Sequence, residues 1–129
     1  MGAMVPVSWG EVIDKITILE IKSERLTDTR KIANVRKELD LLRAIREREF
    51  PGHANLAALA QKLKSVNETL WTVEDEIRDC ERNKDFGPDF VELARSVYRT
   101  NDRRSALKRV INERAGSTIV EEKSYRPYR

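Results

Sequence analysis

Residues 56–80 read LAALAQKLKSVNETLWTVEDEIRDC, and within them Leu56, Leu59, Leu63, Val66, Leu70, Val73, Ile77 and Cys80 recur at intervals of three and four. Such spacing gathers apolar side chains on one face of an α-helix, whereas a half-buried strand alternates every second residue. The pattern predicts a helix from Ala54 to Lys84, about 46 Å long at 1.5 Å per residue. A seam of that length needs an apolar rod beside it. Upstream, Ile32, Val35, Leu39, Leu42 and Ile45 share a face of a second predicted helix, which opens after the N-cap candidates Thr27-Asp28-Thr29 and runs to about Glu49. Phe50-Pro51-Gly52 breaks the chain between the two, because proline disfavours helix at the preceding residue and glycine permits a turn. The two segments are therefore expected to pair as an antiparallel, coiled-coil-like hairpin.

Further upstream, Met1-Gly2-Ala3 ahead of Met4 reads as a cloning scar, and residues 4–7 as an extended lead-in, since Pro6 biases Val5 away from helix. Ser8 and Glu11 form a capping box that opens a helix. Trp9, Val12, Ile13, Ile16 and Leu19 follow at helical spacing, and Ile18 and Ile21 widen the apolar face enough for two neighbours. That helix should run to about Leu26. Downstream, Asp85-Phe86-Gly87 ends the long helix and Pro88 suits the first turn of a fourth. Its apolar face holds Phe90, Leu93, Ala94 and Val97, lapses over residues 99–104, and resumes at Leu107, Val110 and Ile111. Gly116 is a natural stop, and residues 117–129 read as an irregular tail. The expected fold is all-α, a single domain of about four helices over residues 1–129.

Composition agrees. Of 129 residues, 36% are charged and 40% hydrophobic, with only 5 Gly and 4 Pro, a mixture typical of long helices. No apolar stretch approaches the ~20 residues of a membrane span. With 25 basic and 22 acidic residues the net charge of +3 is too small to imply a nucleic-acid partner by itself. One cysteine, Cys80, forbids an intrachain disulfide or a cysteine-based metal cluster. Without a recognisable secretory signal, these features lead us to expect a cytoplasmic protein.

Several blocks resemble a family of small bacterial domains of unknown function. They are Pro6-Val7-Ser8 with Gly10-Glu11 and the run from Ile13 to Lys22, then residues 34–39, residues 100–104 and residues 121–125. The blocks sample nearly the whole chain, so the resemblance implies one integral domain. It implies no activity, ligand or catalytic residue.

Chemistry-bearing candidates are few. Extending the stripe of the fourth helix from Val97 would turn Asn101 and Arg104 inward, where an unpaired amide or guanidinium is costly. On one reading Asn101, Arg103 and Arg104, with Asp14 and Lys15 of the first helix, surround an anionic ligand such as a sugar phosphate or nucleotide. On the simpler one, which we expect, Thr100 or Asp102 caps a fresh helix after a kink and the arginines are solvated. Glu11 with Asp14, and Glu76 with Asp79, form carboxylate pairs one turn apart that could hold Mg²⁺ if they converged, a spacing similar to that of all-helical nucleotide pyrophosphohydrolases. Arg95, Arg99 and Arg103 stack on one face, but acids of the long helix are expected to neutralise them, and nucleic acid is not the expected partner. His53 has no companion for metal binding or catalysis. Trp71 lies off the main seam and is expected beneath the first or fourth helix.

No glycine-rich phosphate loop or nucleophile–base pair occurs, and no cofactor is expected. The leading expectation is a non-enzymatic interaction or scaffolding module that forms a homodimer or binds a protein partner. The alternative is the small ligand-binding domain or Mg²⁺-dependent enzyme just described.

Overall fold

Ser8 opens the first helix, its hydroxyl accepting from the Glu11 amide at 3.2 Å, but the expected box is not completed, because the Glu11 carboxylate turns to Lys108 instead. In this computed structural model, which describes residues 2–128, α1 spans Trp9–Arg25 and α2 spans Thr29–Glu49. Asp28 caps α2 through the Lys31 amide at 3.0 Å. A 3-10 turn, Pro51–Leu56, leads into α3, Ala57–Arg82, and α4 follows as Pro88–Ala115. The described residues contain no strand. The fold is all-α, with four helices.

Proline explains why α3 starts later than its apolar pattern. Pro51 lacks the amide donor of a regular helix, so the first apolar residue of the seam, Leu56, is held by the tighter 3-10 turn. At the far end α3 stops at Arg82, and Lys84 adopts a left-handed φ of 54°. The Asp85 amide then reaches back to the Cys80 carbonyl at 2.9 Å and closes the helix end.

The seam has a different partner from the one expected. α3 packs against α4, its neighbour across the short turn at residues 83–87, and against α1, whereas α2 packs on α1 and the 3-10 turn but not on α3. The hairpin is therefore α3 with α4. The reason lies in α1, which is apolar on two sides. Ile13 joins Leu56, Leu63 and Ile111 in one core cluster, while Ile16 and Leu19 meet Leu39 in another. The six residues of the 3-10 turn carry the chain around α1, which is thus inserted between α2 and α3.

α4 also departs from expectation. No fresh helix or cap occurs at residues 99–104: α4 is continuous from Pro88 to Ala115. Thr100 is only 1% exposed and Arg104 half-buried, so the lapse in the apolar pattern marks polar groups turned inward. Gly116, at φ 68°, ends α4 in the left-handed conformation that glycine takes without penalty. Beyond it the chain turns back along α4 without regular structure: Glu122 pairs with Arg109, and Tyr128 stacks edge-on to Tyr98, ring centres 4.8 Å apart. None of the described helices is long and apolar enough to cross a membrane.

Candidate functional site

Helical spacing builds a polar seam where α1 crosses α4. On α1, Gly10, Asp14 and Thr17 lie on one face, and on α4 Arg104, Lys108 and Asn112 repeat every fourth residue. Asn67 replaces an apolar residue beside the seam of α3. Six of these seven residues are fully buried, Arg104 being the half-exposed one.

At the centre stands Asp14, 1% exposed. Arg104 grips its carboxylate with two parallel bonds, Nε to Oδ1 at 3.0 Å and Nη2 to Oδ2 at 2.5 Å. Such a forked pair satisfies the guanidinium geometrically as well as electrostatically. The Asn67 amide donates to Asp14 Oδ1 and to Thr17 Oγ1, both at 2.9 Å. Lys108 Nζ lies 3.9 Å from Asp14 Oδ2, 2.7 Å from Glu11 Oε2 and 3.2 Å from Glu121 Oε2. Lys123 in turn pairs with Glu121. Positive and negative groups are thus matched within the cluster.

The same seam closes the positive end of α1. Trp9 N–H donates to Ser117 Oγ at 2.8 Å, Gly10 N–H to Asn112 Oδ1 at 2.6 Å, and Glu11 N–H to Ser8 Oγ. The Val12 amide already donates to the Ser8 carbonyl at 3.2 Å. The amides of Trp9, Gly10, Glu11 and Val12 are thus all occupied and none of them is left to bind an anion. Contact this close requires glycine: a Cβ on Gly10 would sit 2.6 Å from the Lys108 carbonyl oxygen and 2.7 Å from Asn112 Oδ1.

Titration follows from the geometry. The Asp14 hydrogen bonds, opposed by burial, raise the Arg104 pKa. For Lys108, burial is the largest single influence and lowers the pKa, but Glu11, Asp14 and Glu121 together outweigh it and the net shift is upward. Lys123 and then Lys108 lower the Glu121 carboxyl. At neutral pH both cations stay charged and engaged. A protonated, triply shared ammonium is neither a base nor a nucleophile, and a guanidinium already forked onto a carboxylate has little left for a substrate. The cluster acts as a clamp that fixes α1 against α4.

The residues singled out from sequence are scattered. Asp14 and Arg104 meet, and Asn101 lies beside Arg104 in a groove of about 480 Å³ floored by Trp71, Ile18 and Ile21. Lys15 points the other way, exposed and 3.1 Å from Glu38 of α2. Arg103 is exposed and donates only to Thr100 Oγ1, at 3.3 Å. For the Mg²⁺ arrangement, Glu11 and Asp14 share Lys108, while Glu76 and Asp79 line a separate hollow with Asp89 and Glu92. Arg104, beside Asp14, lies twelve residues beyond Glu92, roughly 18 Å along α4. The two carboxylate pairs do not converge, and among the described residues no group of three or more His, Cys, Asp or Glu side chains is placed to hold a metal ion.

Arg95 and Arg99 pair with Glu92 of their own helix and Arg109 with Glu122 of the tail. Among the described residues no ion pair links α3 to α4, so the expected neutralisation by α3 acids is replaced by local pairs. Trp71 is half-buried beside α1, with the Arg25 guanidinium 6.0 Å from its ring centre. His53 sits in the 3-10 turn, its Nε2 2.9 Å from Glu47. Asn112, Asn67 and Thr17 were not among the sequence candidates. The four-residue step from Arg104 through Lys108 to Asn112 is the signal that could have found them.

A family model described as a family of unknown function (DUF6165) matches residues 3–128. No curated protein and no solved structure matches the chain.

Proposed function

We propose that this chain, which belongs to the family of unknown function matched over residues 3–128, is a non-enzymatic interaction module that self-associates through the far end of its α3–α4 hairpin. One observation carries the reading. Between residues 74 and 99 no residue is fully buried, although Ile77, Phe90, Leu93, Ala94 and Val97 are apolar and half-covered. The buried positions of α3 stop at Val73 and those of α4 begin at Thr100. Two helices alone cover only one side of each other, and Phe86, Val91 and Tyr98 add exposed apolar surface at the same end. Apolar surface left open at one end of a molecule favours an interaction there.

A second copy is the partner we favour, because it brings the same open apolar side chains, Phe86, Val91 and Tyr98, to a two-fold contact. The charges around them are paired within the chain, Arg82 with Asp79 and both Arg95 and Arg99 with Glu92, so they place no unmatched charge against that contact. The clamp around Asp14 supports the non-enzymatic reading, since its polar groups are spent on one another. We place the module in the cytoplasm, the compartment that suits a lone unpaired cysteine.

Sedimentation equilibrium from 1 to 100 μM tests this, and the wild-type chain is expected to sediment as a dimer at about the middle of that range. Leu93→Glu, at a half-covered position, should weaken association at least tenfold while leaving helical content unchanged. A strictly monomeric wild-type chain at the highest concentration would sink the proposal.

A further inference from the structure

The chain has three tyrosines, Tyr98, Tyr125 and Tyr128, and all three line one hollow of about 740 Å³ between α4 and the returning tail. That volume lies within the range of small-molecule sites. A step of four residues sets Tyr98 and Asp102 on one face of α4, and the tail brings Tyr125, Arg126 and Tyr128 to the same lining. The rings of Tyr98 and Tyr128 meet at 62°, so they form a corner and not a flat stack. Tyr98 is 41%, Tyr128 46% and Tyr125 77% exposed, which leaves all three within reach of a molecule entering from solvent.

Two charges of opposite sign share this lining. Asp102 Oδ2 accepts from the Tyr128 hydroxyl at 2.6 Å, a neutral donor, and among the described residues no cation pairs with the carboxylate. Arg126 likewise has no carboxylate partner among them. The other charged side chains of the described tail are matched, Glu121 with Lys108 and Lys123, and Glu122 with Arg109. Asp102 and Arg126 are both exposed, so a ligand meets them without displacing an ion pair.

An aromatic ring attracts a cation to its electron-rich face, within about 6 Å of the ring centre. A quaternary ammonium suits such a corner, because it has no N–H to satisfy. Asp102 supplies the countercharge. Arg126 would repel a bare cation, so the lining favours a molecule whose positive group is tied to a negative one that the guanidinium can hold. We propose that this hollow binds a small zwitterion in which a quaternary ammonium is joined to a phosphate or carboxylate. Tyr98 borders the surface assigned above to self-association, but the hollow lies on its tail side and does not rest on that pairing.

Titration of the full chain with phosphocholine and, in parallel, glycine betaine, followed by nuclear magnetic resonance, tests the proposal. At least one is expected to bind with a Kd of about 1 mM or tighter, and the tighter one identifies the anionic group. Phosphatidylcholine vesicles form a third arm, and retention on them identifies a lipid headgroup as the source. The unmethylated counterparts, phosphoethanolamine and glycine, should bind at least threefold more weakly. Tyr125→Leu and Asp102→Asn should each weaken binding about fivefold, whereas Tyr125→Phe, which keeps the ring, should retain it. Arg126→Gln should weaken the zwitterion and strengthen choline itself. Leu93→Glu, aimed at self-association, should leave binding unchanged, and circular dichroism checks that each variant is folded. The site would be overturned by absence of saturable binding in all three arms, by equal binding of the unmethylated counterparts, by full binding in Tyr125→Leu or Asp102→Asn, or by its loss in Leu93→Glu.

Discussion

Replacing Gly10 with alanine should reverse an ordinary rule. Inside a helix the change normally stabilises by about 1 kcal/mol. Here the new methyl would overlap the Lys108 carbonyl and the Asn112 side chain, both held in place by their own hydrogen bonds. Overpacking of this kind costs typically 1–3 kcal/mol, so urea denaturation should show Gly10→Ala less stable by about 2 kcal/mol. A gain in stability would mean that α1 and α4 do not approach as described. Asp14 and Arg104 make a second residue-scale case. Arg104→Ala strands a buried carboxylate, whereas Asp14→Ala strands a guanidinium that still reaches solvent. The first should cost about 3 kcal/mol and the second about 2 kcal/mol, and the double variant should be less damaging than the sum by at least about 1 kcal/mol. Strict additivity in that cycle would deny the coupling. These residues were only half legible in the sequence. Arg104 stood out as a charge on an apolar stripe, but its partner depends on which helix lies opposite, and that is tertiary information. Lys15 and Arg103 show the same limit from the other side, since neighbours in sequence on a helix face different directions.

Helix boundaries were the most legible feature, because capping and proline chemistry are local. Ser8, Asp28 and Gly116 act where their side chains or lack of one dictate. The lapse at residues 99–104 misled because polar residues in a helical stripe have two explanations, a break or a buried network, and only the neighbouring helix decides between them. Pairing was legible in kind and not in partner. The seam of α3 demanded a companion, yet spacing alone does not separate the preceding helix from the following one. The consequence falls on α2, which has one fully buried residue, Leu39, against seven on α1. Packed on a single helix, it has little to hold it when the molecule breathes. Hydrogen exchange should find the α2 amides about tenfold less protected than those of α1 under native conditions. Equal protection in the two helices would show that α2 is secured by more than α1.

At the scale of the molecule, α1 acts as an axle. It touches every other helix, and both core clusters and the polar clamp include its residues. Its composition announced this, since apolar residues on more than one side of a helix require more than one neighbour. The stretch of the hairpin from Glu74 to Arg99 holds no fully buried residue, which is why the proposed association belongs there. Through that association the melting midpoint of the whole chain should rise with protein concentration, as it does whenever assembly stabilises the native state alone.

The start of α1 is finished by atoms supplied more than a hundred positions later, Asn112 and Ser117. During synthesis α1 emerges before those residues and has only its local Ser8 cap until they leave the ribosome. At 5–20 residues per second that delay is on the order of 5–20 seconds, during which α2 and then α3 become available to α1. A nascent chain of this design is thus an open clasp, and its last link is the first that its opening helix needs.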